Sequence, residues 1–247
     1  MVLNDILHQK NKILDFSSGL INVNIGHGDQ RVTEAVVKQM EKISYVNPST
    51  ITEVRGELGK KLSEISPGNL NKSFFTICGA TGIENAIKLA RLYTGRHKIL
   101  TRYRSYHGST MGAMSAGGDP RKLKVDSQMG TNFIHLEIPY KYRSTGHHWE
   151  QNCFDKLDRI LSYEGPENFA AIIMEGESGS SGCLKLPDGY FKKLRKVCNK
   201  YGILLIADEV MSGFGRTGQW FGINNYGVIP DIMVMAKGIT SGYIPFG

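Results

Sequence analysis

A mainly parallel α/β sheet flanked by helices is the fold that this 247-residue sequence predicts. Three observations lead there. Short apolar runs alternate with amphipathic stretches of about 10 to 15 residues, the rhythm of repeated strand–helix units. Two of those runs, residues 202–207 and 231–236, have no polar side to turn toward water, so each reads as a strand buried on both faces. Each run ends on a single ionisable residue, Asp208 after the first and Lys237 after the second. In open α/β sheets ligands collect at the carboxyl ends of such strands, which places the acid and the amine in one crevice.

The elements follow in order from hydrophobic spacing. Residues 13–28 read as short strands joined by glycine turns. Residues 32–43 carry Val36, Val37, Met40 and Ile43 on one helical stripe, and residues 53–63 form a second amphipathic helix that ends near Pro67 and Gly68. A strand over 74–78, a helix over 82–93 and a strand over 98–101 come next. A connection rich in Gly, Ser and Met spans 103–131. A strand over 133–136, a helix over 153–163, a strand over 170–174 and a helix over 188–201 lead to the two strands already described. There is no internal repeat and no low-complexity linker. Residues 243–247 open a further apolar element, and a domain rarely stops on a half-started one. The expectation is a fragment of a longer protein.

Composition narrows the class. At 40% hydrophobic residues the chain can bury a substantial core. Thirty basic against 23 acidic residues give a net charge of +7. The basic residues, among them Arg102, Arg104, Lys192, Lys193, Arg195 and Lys196, are scattered without interleaved aromatics. They read as a solvated surface and not as a nucleic-acid interface. The four cysteines, Cys78, Cys153, Cys183 and Cys198, form no C-x-x-C pair, which points to a reducing cytoplasm. The first residues lack a charged segment followed by an apolar one, and no run approaches the roughly 18 apolar residues of a membrane span.

An amine and a carboxylate at adjacent strand ends suit pyridoxal phosphate chemistry, in which a lysine forms a Schiff base and an acid keeps the pyridinium nitrogen protonated. Other segments bear on this. Residues 78–82, Cys78-Gly79-Ala80-Thr81-Gly82, lie between a strand and a helix, where small residues and a helix N-terminus suit a phosphate; a tight strand-to-helix turn explains the same glycines. Tyr106, in Tyr106-His107-Gly108, offers a ring to a flat cofactor or packs as a loop aromatic. Glu175 ends the strand 170–174 and either faces the crevice or forms a structural salt bridge. Gly213-Phe214-Gly215-Arg216-Thr217-Gly218 matches G-x-G-x-x-G, but Asp208-Glu209-Val210 intervenes after the strand and no amphipathic helix follows. It reads as a flexible loop rather than a dinucleotide site. His147, His148 and Cys153 match no zinc spacing and read as surface residues.

In this order the motifs resemble the class III aminotransferases of the fold-type-I pyridoxal phosphate family. The resemblance runs from Leu14-Asp15-Phe16-Ser17-Ser18-Gly19-Leu20 and Gly26-His27-Gly28, through Tyr106-His107-Gly108-Ser109-Thr110, to Ala207-Asp208-Glu209-Val210, the 213–218 loop and Ala236-Lys237-Gly238. It implies a fold-type-I large domain, an α/β/α sandwich that is incomplete at its C-terminus, over residues 46–247. Residues 1–45 would be an N-terminal segment of the small domain. It implies pyridoxal 5′-phosphate as cofactor and homodimerisation of the full-length protein. Lys237 would carry the covalent link to the cofactor and shuttle the substrate proton, and Asp208 would pair with the pyridine nitrogen. Gly79 and Ala80 would donate N–H groups to the phosphate, Tyr106 and Val210 would cover the two ring faces, and His107 and Glu175 would complete the cofactor-binding set. The substrates implied are an amine or ω-amino acid donor and a keto acid acceptor such as pyruvate or 2-oxoglutarate, exchanged by a ping-pong mechanism. Residues 19–24 and 140–143 look closest to the branch that uses ω-amino acids or amines.

Two departures stand out. The phosphate turn has Cys78-Gly79-Ala80-Thr81-Gly82 where relatives often carry Ser-Gly-Ser/Ala-Glu-Ala, and Glu175-Gly176-Glu177 replaces the usual Glu-Pro-Val. The region past the lysine, which holds a phosphate-reaching threonine and a carboxylate-binding arginine in such enzymes, is absent here. Alternatives are an aminomutase, racemase or decarboxylase sharing Asp208 and Lys237, and an inactive fragment or pseudoenzyme retaining the fold. A nicotinamide oxidoreductase built on the glycine loop is a more distant one.

Overall fold

The computed structural model describes residues 5–8, 11–125, 130–143 and 148–247. Its centre is a parallel sheet of β3 (Lys98–Arg102), β4 (Phe133–Leu136), β5 (Phe169–Glu175), β6 (Leu204–Asp208) and β7 (Ile232–Val234), in the order β4-β3-β5-β6-β7. Helices cover both faces, giving the three-layer α/β/α arrangement of a fold-type-I domain. All seven residues of β5 are buried, and their alternation shows why. Ile172 and Met174 point into a core shared with α6 (Trp149–Glu164) and α7 (Tyr190–Tyr201), where Leu157, Leu161, Phe191 and Leu194 meet them. Ala171 and Ile173 point to the opposite face, against Ile83, Ala86, Ile87 and Ala90 of α4 (Gly79–Thr94) and Ala113 and Ala116 of α5 (Met111–Ala116). A strand with both faces dry must be apolar at every position.

Polar residues tie the sheet to its helices at the far end. Arg96 Nη1 donates to the carbonyls of Phe169, Tyr201 and Gly202 at 3.2, 2.9 and 3.1 Å, joining the start of β5 to the end of α7. Asp231 Oδ2 accepts from Leu205 N–H and from Arg195 Nη1, both at 2.7 Å. The amino-terminal part contributes an antiparallel hairpin of β1 (Asp5–His8) and β2 (Asn11–Leu14), a single distorted turn α1 (Ser18–Ile21), and the helices α2 (Gln30–Lys42) and α3 (Glu53–Ile65).

Several expectations change. Residues 74–78 are not a strand: Thr76 exchanges two backbone hydrogen bonds with Gly247, at 2.6 and 3.0 Å, and that pairing does not extend into a ladder. Of residues 13–28, only 13 and 14 lie in a strand, while 17–26 form local turns and reach out to Ser241 and Tyr243 through Ile25 N–H and the Gly26 carbonyl. The long connection after β3 contains α5 and a 3₁₀ turn at Pro120–Lys124, because Ala113 and Ala116 are small enough to pack on the sheet. β7 is three residues long, and Ile232 and Met233 are only half-buried, so the second apolar run is not dry on both faces. Arg102 is no surface cation but is 2% exposed. No helix among the described residues is long and apolar enough to cross a membrane.

The density of the core around β5 sets an expectation. Ile172→Ala removes a fully buried side chain between two helices and should destabilise the fold by about 2–5 kcal/mol, read from the denaturant midpoint at unchanged slope.

Candidate functional site

The parallel register brings the polar strand ends together. Glu175 of β5 is the Cα partner of Asp208 of β6, and Asp208 is in turn the partner of Val234, three residues before Lys237. Glu175, Asp208 and Lys237 open on one cavity of about 670 Å³. Cys78, Gly79, Ala80, Tyr106, His107, Glu175, Val210 and Lys237 line it with Asp208, so the residues expected to hold the cofactor lie around one cavity. A larger cavity of about 1010 Å³ near Trp149 and Arg159 holds none of them.

Asp208 is 4% exposed, and each of its oxygens has a protein donor. Val210 N–H reaches Oδ1 at 3.0 Å and His107 Nδ1 reaches Oδ2 at 2.7 Å. His107 is fully buried and meets the site through Asp208 rather than at the cavity's centre. Lys237 is half-buried with a φ of +47°, a left-handed backbone that non-glycine residues adopt rarely. Burial lowers its pKa below the ordinary lysine value; the Asp208 charge opposes this and Arg216 adds to it.

One wall is the first turn of α4. As at any helix start, the N–H groups of Gly79 and Ala80 have no acceptor within the helix. Gly79 is required there: a Cβ would lie 2.8 Å from Val210 Cγ2. The unusual residues of this turn cap the helix. Cys78 N–H donates to Thr81 Oγ1 at 3.3 Å, and that hydroxyl lies 2.9 Å from the Cys78 carbonyl. The Cys78 thiol is held below its usual pKa, chiefly by the Thr81 backbone N–H. These small side chains and the N–H groups of a helix start fit a phosphate monoester, and the amine and carboxylate fit the two ends of a pyridine aldehyde, so the residues present match pyridoxal phosphate.

Sequence reasoning left Glu175 between two roles, and the structure gives it both. It lines the cavity, and its carboxylate takes Arg102 Nη2 at 2.9 Å, the Ser178 hydroxyl, and Tyr106 N–H at 3.4 Å. Tyr106 is 39% exposed and carries the Arg121 guanidinium 4.2 Å from its ring centroid.

Arg102, Glu209 and Arg216 were missed as site residues. Glu209 is fully buried and accepts from Ser212 Oγ, Gly222 N–H and Ile223 N–H, each at 2.7 Å, so the glycine-rich 213–218 segment is a loop tied at its base rather than a loose one. Gly176 passes so close that a Cβ would sit 2.7 Å from Glu209 Oε1. Arg216 donates to Asn24 Oδ1 at 2.6 Å, and Asn24 Nδ2 to the Phe214 carbonyl at 2.9 Å, which fastens the amino-terminal segment beside the cavity. The adjacent Asp-Glu pair was the one available signal for Glu209; nothing in spacing marked the others. His148 caps α6 at the surface and Cys153 lies half-buried within that helix, while His147 lies outside the described residues; among the latter no cluster could hold a metal ion.

Burial raises the Glu209 pKa, against three donated hydrogen bonds. Glu209→Gln puts an amide N–H₂ among donors that need an acceptor, and should lower stability by about 1–3 kcal/mol in denaturant unfolding.

Comparison with known proteins agrees with this geometry. The family described as aminotransferase class-III matches residues 4–247. A putrescine–pyruvate aminotransferase from Pseudomonas aeruginosa is 36% identical over 253 residues, covering 96% of this chain and 55% of its own. The crystal structure of an (S)-enantioselective ω-transaminase from Thermomicrobium roseum superposes with a TM-score of 0.92 at 44% identity, covering 96% of this chain and 55% of that one. A taurine:2-oxoglutarate aminotransferase from Bifidobacterium kashiwanohense, solved with pyridoxal phosphate and glutamate, has the same TM-score and coverage at 39% identity. The chain thus spans about half the length of these relatives. With a family match over nearly its whole length and the motifs converging on one cavity, the chain belongs to the class III aminotransferases.

Proposed function

We infer that this chain carries the cofactor-binding half of a pyridoxal phosphate-dependent transaminase that moves an amino group from an amine or ω-amino acid to a keto acid such as pyruvate or 2-oxoglutarate. One observation carries the reading: a desolvated lysine amine and a buried carboxylate share a cavity with an open helix N-terminus. The aminotransferase relatives, one solved with pyridoxal phosphate, support it. When bound, the cofactor supplies a carbonyl that exchanges with the substrate amine and a ring that draws electrons from the adjacent carbon.

The chain's own residues do the rest. Gly79 and Ala80 would hold the phosphate through backbone N–H groups at the positive end of α4. Asp208 holds a proton on the pyridine nitrogen, and His107 and Val210 N–H fix the orientation of its carboxylate. Tyr106 and Val210, which line the cavity, would flank the cofactor ring, and Glu175 keeps the Tyr106 backbone in place. Lys237 Nζ is the base. Its lowered pKa leaves more of it as free amine at neutral pH, so that it takes the proton from the carbon bearing the substrate nitrogen and later returns one. Donor and acceptor occupy the site in turn, the nitrogen being retained between the two half-reactions. The same reading makes residues 46–247 the large domain with 1–45 a piece of the small one. It makes the full-length protein a cytoplasmic homodimer.

Purified protein mixed with pyridoxal phosphate should absorb above 400 nm, and borohydride should fix the label on Lys237; Lys237→Ala should abolish both. Turnover of an amine with pyruvate by Lys237→Ala would refute the assignment of the base. A separate expectation follows from linkage. Because the folded-state lysine pKa lies below 10.5, the folded protein binds fewer protons than the unfolded one between those values, so stability rises with pH through that window. Lys237→Met should therefore be more stable than the parent below the window, by a margin that shrinks as pH climbs toward 10.5 in parallel urea titrations.

A further inference from the structure

Behind Asp208 runs a chain of buried side chains that ends on a hydroxyl with no role so far. His107 Nε2 lies 3.2 Å from Thr101 Oγ1, and Thr101, at the end of β3, is fully buried. The proton positions follow from the partners. Ionised Asp208 only accepts, so the His107 nitrogen 2.7 Å from it, Nδ1, carries a proton. Nε2 then meets a hydroxyl able either to donate or to accept. Ser105 Oγ, the other polar atom near Thr101, is farther away at 3.5 Å. It spends its own proton on the Arg102 carbonyl at 2.7 Å and accepts Gly118 N–H at 3.2 Å. The nearest acceptor for the Thr101 proton is therefore His107 Nε2.

We propose that Thr101 is a positioning residue whose hydroxyl donates to His107 Nε2, holding the ring proton on Nδ1, aimed at Asp208. With that N–H on Oδ2 and Val210 N–H on Oδ1, the carboxylate is clamped at both oxygens and its remaining lone pairs serve the cavity it lines. A valine at 101 keeps the shape of threonine and deletes the donor. Nε2 would then be a buried acceptor without a partner, which weakens the preference for a proton on Nδ1 alone. The hydrogen-bond pattern stands on the geometry alone, whereas its consequence for the cofactor rests on the function inferred above.

The test uses protein labelled with ¹⁵N at its seven histidines, without cofactor, with the His107 signals identified by their loss in His107→Gln. Long-range ¹H–¹⁵N correlation should show a protonated Nδ1 and an unprotonated Nε2 in the parent and in Thr101→Ser. Thr101→Val should move Nε2 toward the protonated range. Parent spectra with the proton on Nε2, or on both nitrogens, overturn the proposal, as does a Thr101→Val spectrum identical to the parent. Should Thr101→Val fail to fold, the parent and Thr101→Ser spectra still decide. With pyridoxal phosphate as probe, Thr101→Val should bind about fivefold to tenfold more weakly than the parent, and Thr101→Ser close to it. Equal retention by Thr101→Val overturns the link to the cofactor. A parent that shows the tautomer yet takes up no pyridoxal phosphate leaves Thr101 in place and removes the transaminase reading. Uptake on Lys237 with the wrong tautomer does the reverse.

Discussion

A carboxylate buried at the end of a strand has to be met by donors, and the burial of Asp208 organises much of what surrounds it. At 4% exposure it cannot rely on water. One donor comes from its own chain, Val210 N–H, which bends the backbone out of β6 at once. The other comes from His107, which can reach it only because the chain leaving β3 turns back over the sheet. Parallel pairing puts Glu175 beside Asp208, and that second acid needs its own cation, supplied by Arg102 from within β3. A third, Glu209, is met by two backbone N–H groups and a hydroxyl. Three neighbouring acids are thus satisfied in three different ways, and each solution fixes a different loop around the cavity.

The amine answers to the same physics with opposite sign. Burial favours the neutral form of Lys237, and Asp208 pulls the other way. The balance leaves a lysine easier to deprotonate than an exposed one, which suits a proton carrier better than a structural cation. Its left-handed backbone indicates that the segment after β7 is held by surrounding structure rather than by local preference. Part of that hold is visible: Ser241 Oγ accepts Ile25 N–H at 3.0 Å and the Tyr243 hydroxyl donates to the Gly26 carbonyl at 3.0 Å. The amino-terminal segment therefore braces the region that carries the lysine.

The central sheet was legible because its signal is local. The runs ending at Glu175 and Asp208 are apolar in the way that doubly covered strands must be, and residues 133–136 at the sheet edge are short and mostly apolar. The strand expected at 74–78 fails for the converse reason. Its residues suit a strand, but a ladder needs a neighbour, and here only Thr76 finds one. α5 was hidden because Gly and Ala within six residues look like a loop until a sheet lies beneath them. At the site, Asp208 and Lys237 announced themselves by ending apolar runs. Arg102 did not, since a cation inside a strand is indistinguishable from a surface one until its acid partner, 73 residues away, is folded beside it.

That asymmetry separates two kinds of site residue. Groups that face the ligand tend to interrupt a pattern, as Lys237 does, and so can be read from sequence. Groups that hold those groups in place sit inside the pattern: Thr101 is one more β-branched residue in β3, and β-branched residues need no special reason to be in a strand. Only the distance from its hydroxyl to His107 distinguishes it. Such supporting residues therefore emerge from accounting for every buried donor and acceptor near the site, and in this chain that accounting runs from Ser105 through Thr101 and His107 to the carboxylate on which the cavity is built.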